Sequence, residues 1–198
     1  MLTGDKALTI RALAGFITAS CVLLACDSAF ASASNAAPSV LRVGDVLNTS
    51  SKASDRAIYR FDVSAGAKYL LEVKQHGLDF VISIRAPGAK HVRRFNSPLR
   101  RDGSEYVLLE APSSGEYRFE VYSEENTGAR GMHSVSVTAL SSAVDSRLID
   151  AWRAMTLGAE TNMRSGKSGW SSAISAYEEA AGLWTQLSNA VMQAHASL

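Results

Sequence analysis

From Ala57 to Ala139 apolar residues recur at every second position, and from Val144 to Leu198 they recur at every third or fourth. The first period belongs to strands with one buried face, the second to amphipathic helices. In the first part Tyr59, Phe61 and Val63 share a face over Ala57–Val63. Tyr69, Leu71 and Val73 do so over Lys68–Lys74, and Phe80, Ile82 and Ile84 over Asp79–Arg85. Tyr117, Phe119 and Val121 alternate with Arg118, Glu120 and Tyr122, and Val135 and Val137 close the set. Shorter strands are expected at Val40–Val43, His91–Phe95 and Tyr106–Glu110. Turn residues separate them: Ala65-Gly66, Pro87-Gly88, Pro112 to Gly115 and Gly128 to Gly131. About eight short strands without an intervening helix predict an antiparallel β-sandwich or jelly roll over residues 40–141.

The helical part, residues 142–198, divides at Ser165-Gly166. One helix is expected over Val144 to Met163 and a second over Gly169 to Leu187, together a hairpin. Trp170, Ala173, Ile174, Tyr177, Ala180, Ala181 and Trp184 form a wide apolar stripe on the second. Asn189 to Leu198 opens a further helix with no stop signal, the pattern of an incomplete helical array that leaves apolar surface uncovered.

Composition changes this picture little. Hydrophobic residues make up 46% and charged residues 20% of the 198, a globular balance. A formal net charge of +1 gives no reason to expect a nucleic-acid partner.

The N-terminus reads as an export signal over residues 1–31, followed by a polar spacer over 32–39. Lys6 and Arg11 precede an uncharged run of 14 residues from Ala12 to Ala25, too short for a comfortable bilayer span. Two processing sites compete. Leu23-Leu24-Ala25-Cys26 resembles a lipobox, which would make residues 1–25 the signal and Cys26 the lipidated first residue. Ala29-Phe30-Ala31 suits ordinary signal peptidase. The expected location is the periplasm of a bacterial envelope or, with a lipid on Cys26, its membrane surface. The two cysteines, Cys21 and Cys26, both lie here, so the folded part has no disulfide, thiolate metal site or cysteine nucleophile.

The Y-x-F-x-V-x-A-G stretch at Tyr59–Gly66, Asp79 at the start of a strand and the stretch from Ala111 to Val121 together resemble the bacterial pre-peptidase C-terminal domain. Ala173, Tyr177 and Ala180 resemble the second-helix pattern of tetratricopeptide repeats. Thr161 departs from the first-helix pattern, standing where a small residue usually allows close packing. A sandwich followed by such repeats is similar to the N-terminal part of exported proteins that end in a caspase-like CHAT peptidase domain. That resemblance implies an accessory role beside a peptidase and no peptidase activity in this chain.

Candidate chemistry is sparse. His76, His91, His133 and His195 lie in no G-x-S-x-G or H-E-x-x-H motif, so no catalytic residue, metal site or cofactor is expected. Asp79 is read as ordering the turn before its strand. Lys90, Arg93, Arg94, Arg100 and Arg101 cluster on one hairpin, either as a polyanion contact or as a solvated edge. Glu116, Glu120, Glu124 and Glu125 are available to neutralise them. Trp170, Tyr177 and Trp184 are the candidate surface for a protein partner or for self-association through the helices. The expected function is a non-catalytic binding or assembly module at the envelope. The alternatives are an accessory part of a peptidase, or a carbohydrate-binding module with Tyr122 as its one outward aromatic.

Overall fold

The computed structural model describes residues 37–197, and of residues 164–168 it describes the backbone alone. Cys26, the signal and most of the spacer lie outside the described residues. Nine strands are described: β1 (Ser39–Val40), β2 (Val46–Lys52), β3 (Arg56–Val63), β4 (Lys68–His76), β5 (Phe80–Arg85), β6 (Arg93–Phe95), β7 (Asp102–Glu110), β8 (Gly115–Ser123) and β9 (Arg130–Leu140). They form two sheets in the orders β1-β3-β8-β5-β6 and β2-β9-β4-β7. The expected sandwich is present, with every described pairing antiparallel except the short parallel pair β1–β3.

The alternation explains the core. Tyr59, Phe61 and Val63 from β3 meet Phe119 and Val121 from β8 and Leu71 and Val73 from β4 between the sheets. Tyr59 stacks on Phe119 with ring centroids 5.1 Å apart. β2 has no counterpart among the expected strands, because its sequence, VLNTSSK, holds only two large apolar residues.

The chain is helical from Ser146 to Gln186 (α1), capped by Asp145, whose side chain accepts from the Arg147 N–H. This segment is not one straight rod. The rings of Trp152 and Trp184 lie 4.8 Å apart, whereas a straight helix would separate these residues by about 48 Å. A Cβ on Gly158 would stand 2.8 Å from the ring of Tyr177, about 28 Å away along a straight helix. The segment therefore folds back on itself between Gly158 and Tyr177, without the interruption of helix expected at Ser165-Gly166. The small residue at the point of close approach is Gly158, one turn before Thr161. α2 (Ala190–Ala196) follows, capped by Asn189, whose side chain accepts from the Met192 N–H.

The helices are bound to the sandwich along one side. β6 ends one sheet and β7 the other, and the first arm of α1 lies across both. Thr156 Oγ1 accepts from the backbone N–H of Leu108 in β7 at 2.7 Å. One turn on, the carbonyl of Ala159 accepts from Asn96 N–H just after β6 at 3.4 Å, and Glu160 takes Arg93 of β6 through two bonds of 3.1 and 2.8 Å. A second apolar cluster joins Leu108, Leu70 and Tyr106 of the sheet to Trp152, Met155, Trp184 and Met192 of the helices.

Candidate functional site

The aromatic stripe does not stay together as a surface. Trp184 is fully buried, edge-on to Trp152, which in turn sits 4.7 Å from Tyr106. It is core, because the first arm of the hairpin covers that face of the second. Tyr177 is half-buried against Gly158. Its hydroxyl has no hydrogen-bond partner among the described residues and is held above its ordinary pKa, first by burial and then by the nearby Glu105 carboxylate. Trp170 alone is open, 51% exposed, with Ile174 one turn away at 57%. Glu178 continues the line, since positions four apart stack on one helix face.

These residues border a groove of about 460 Å³ lined by Trp170, Ala173, Ile174, Tyr177 and Glu178, with Pro98 and Asn162 opposite. Pro98, Asn162 and Trp170 also line an adjoining depression toward Arg100, Arg101 and Glu125. The groove is apolar in its floor and acidic at one end. Asn162 fixes its wall by donating from Nδ2 to the Asn96 carbonyl at 3.2 Å.

The basic hairpin is largely neutralised within the chain. Arg93 is clamped by Glu160, Arg94 pairs with Glu124, and Arg101 makes two bonds, of 3.0 and 2.6 Å, to Glu125. Glu116 and Glu120 pair elsewhere, with Arg60 and Arg56. Among the described residues Lys90 and Arg100 have no ion-pair partner, which reduces the expected five-residue cluster to two separate cations. Tyr122 is 6% exposed because the Arg56 guanidinium lies 4.0 Å above its ring. The single aromatic expected to face a glycan is therefore covered.

Two buried ionisable groups escaped the sequence reading. Glu105 faces the core from β7, accepting from Ser97 N–H at 2.7 Å and Ser97 Oγ at 2.6 Å, with Gln75 Nε2 at 3.4 Å. Burial pushes its carboxyl up to about 7. Its only sequence signal is a charged residue on the inward phase of an alternating strand. His133 lies inside β9 at 2% exposure, and its Nε2 meets the Tyr59 hydroxyl at 2.8 Å. Burial pushes it down to about 4. Glu105 is enclosed in the interior, whereas His133 also borders a cleft of about 700 Å³ that Thr49, Ser50, His76, Asp102 and Ser134 line, and the Tyr59 hydroxyl links its Nε2 to the Thr49 hydroxyl. Asp79 does sit at the start of a strand: its N–H donates to Glu125 and its carboxyl interacts with Asn96. No cluster of three metal-ligating side chains occurs among the described residues, and no helix among them is long and apolar enough to cross a membrane.

Neither a protein-family model nor a curated protein matches the chain. Solved structures do resemble it. The pre-peptidase C-terminal domain of a collagenase from Bacillus anthracis is 14% identical, covers 53% of this chain and 100% of that one, and has a TM-score of 0.39. PliG from Salmonella Typhimurium, a periplasmic inhibitor of g-type lysozyme, is 20% identical over 48% of this chain and 86% of that one, at 0.37. A carbohydrate-binding module from Cellvibrio mixtus lichenase 5A, in complex with cellotriose, is 12% identical over 48% and 88%, at 0.30. The first bears the description to which the strand motifs pointed. At these identities and scores no role passes from any of them to this chain.

Proposed function

We propose that the chain is a non-catalytic binding module, exported by its N-terminal segment, that holds a protein partner on its helical layer. The observation that carries this reading is the ridge Trp170–Ile174–Glu178 beside the groove. Two large apolar side chains are left in water where the same helix buries Ala173, Ala180 and Trp184. Isolated exposed apolar residues are common, but a pair in register beside a concave apolar floor is the form of an anchor site. Glu178, with Glu179 next to it, makes one end acidic. The fitting partner is an amphipathic segment whose apolar side chains sit on Trp170 and Ile174 and whose Lys or Arg meets Glu178. The helical pair is read as one tetratricopeptide-like unit, with Ala173, Tyr177 and Ala180 turned toward the first arm.

A non-catalytic role is supported by the enclosure of Glu105, whose carboxylate is taken up by Ser97 in the interior. The carbohydrate reading has lost its aromatic, Tyr122, to the Arg56 contact.

Site-specific photo-crosslinking in expressing cells tests the proposal. A photoreactive residue at Ile174 should capture a protein that the same group at Lys74, exposed on the outer face of β4, does not. Glu178→Lys should abolish that capture. Equal capture from both positions, or none from Ile174, removes the reading.

A further inference from the structure

Part of the wall of the groove is α2, whose Ala196 and the following Ser197 line it together with Tyr177 and Glu178. The hold of α2 on the rest of the chain is slight. Met192 and Ala196 are its buried residues, and both join the apolar cluster of Trp152 and Trp184. The remaining contact is His195, whose ring lies 5.5 Å from that of Tyr106 in β7. Among the described residues its hydrogen bonds run only within itself, to its cap Asn189 and to Ser197.

Seven residues do not stay helical alone, since an isolated helix shorter than about 12 residues is marginal in water. Docking and folding of α2 are therefore one event. Ser188 joins it to α1 in the left-handed region, at φ 55, a conformation that a residue with a Cβ keeps only while its surroundings hold it.

The His195 ring fits this corner in one protonation state. Its Nε2 is buried without a hydrogen-bond partner among the described residues. A neutral ring with its proton on Nδ1 leaves only a lone pair there. A second proton would sit on Nε2 as a buried donor without an acceptor, on a charged ring. The neighbours offer no relief. Tyr106 presents its ring, and its hydroxyl donates to Glu72 Oε1 at 3.1 Å. The same oxygen accepts from Ser104 Oγ at 2.8 Å, so the carboxylate behind Tyr106 is already engaged. The α1 side chains of the cluster, Ile149, Trp152, Met155, Ala180 and Trp184, carry no charge. Burial shifts the ring downward from its ordinary value, and neither Glu72 nor Glu178 holds its charged form up.

We propose that α2 is an acid-released wall of the groove. Protonation of His195 frees Ala190–Ala196 from the cluster, melts the helix and opens the groove where Ala196 and Ser197 stand. The docked ring takes a proton less readily than the released one. Docking is therefore complete above the ordinary histidine value of about 6.5 and is lost as pH falls through the docked value. Gating of a partner rests on the binding role proposed above, whereas the release of α2 does not.

Amide hydrogen exchange on the full chain tests the release. Protection factors are compared at about pH 7.5 and about pH 5, either side of the ordinary histidine value. Protection over residues 193–197 should be about tenfold lower at the acid value, the factor that a buried unpaired donor costs. Protection at Leu71 and Val73, in the core of β4, should not change. His195→Phe keeps a ring against Tyr106 and has no proton to take, so its α2 should be equally protected at both values. His195→Met is the second variant should the first not fold. Equal protection of native α2 at both values overturns the proposal. So does a loss that persists in these variants, or one that Leu71 and Val73 share. Cross-linking from Ile174 is read separately: an acid response without capture removes the partner and leaves the acid-released wall.

Discussion

The ring of Tyr177 rests on the bare backbone of Gly158, where a Cβ would come within 2.8–2.9 Å of three ring carbons. This contact sets how closely the two arms of the helical hairpin approach. In an isolated helix Gly158→Ala would gain about 1 kcal/mol of propensity. Here the added methyl pushes on a packed ring, and overpacking costs about 1–3 kcal/mol. The net effect should be destabilising in urea unfolding. Tyr177→Leu in the same chain should recover part of the loss, a coupling that a double-mutant cycle reads directly.

The two buried ionisable groups should oppose each other in pH. Glu105 has a folded pKa raised to about 7 from 4.5, so its contribution is fullest below about 4.5 and is lost as pH rises through 7. His133 has a folded pKa lowered to about 4 from 6.5, so stability on its account is lost as pH falls from 6.5 through 4. The native chain should show a shallow profile between these limits. Glu105→Gln should unmask the histidine, with the unfolding midpoint rising from pH 4 to about 6.5 and flat above. A Glu105→Gln profile that still falls toward pH 7 would assign the slope to another group.

The ion pairs at the hairpin should differ in weight. Glu160 is 4% exposed and receives two bonds from Arg93. Arg93→Ala removes both from a buried carboxylate and should cost about 1–3 kcal/mol. Arg101 is more than half exposed, and its pair with Glu125 should be worth about 0–1 kcal/mol. Chemical denaturation of the two alanine variants separates them, and equal losses would contradict this ranking.

Trp170 should dominate solvent-accessible tryptophan emission. The chain has three tryptophans, and the other two, Trp152 and Trp184, are buried. Trp170→Phe should blue-shift the spectrum and remove most of the quenching by acrylamide, with far-UV circular dichroism unchanged. Persistent quenching after the substitution would mean that the hairpin opens in solution.

The strands with large apolar alternation were legible residue by residue, as Tyr59, Phe61 and Val63 show. The helical segment and α2 were legible from period, but the break expected at Ser165-Gly166 was not found, since the backbone is helical from Ser146 to Gln186. β2 was not, because Thr49 and Ser51 fill its inward positions and carry no hydropathy signal. Tyr122 was assigned outward correctly in phase, yet it is buried, because β3 sets Arg56 directly opposite it. The basic cluster was visible and its neutralisation was not. Arg93 meets a glutamate 67 positions away in another kind of element, a pairing that local pattern does not encode. Trp184 illustrates the same limit: a helical stripe states that a face is apolar, and only the chain reversal states which neighbour covers it.

The hydrogen bond from Leu108 to Thr156 has a practical consequence for anyone dividing this chain. The change of period near Ser141 looks like a place to cut. A fragment ending at Leu140 keeps all nine described strands but strips the cover from Leu70, Tyr106 and Leu108. It also leaves a backbone donor in β7 without its acceptor. Such a fragment should accumulate in inclusion bodies while the longer chain stays in solution. The visible seam in the sequence is thus a poor guide to what can be expressed alone.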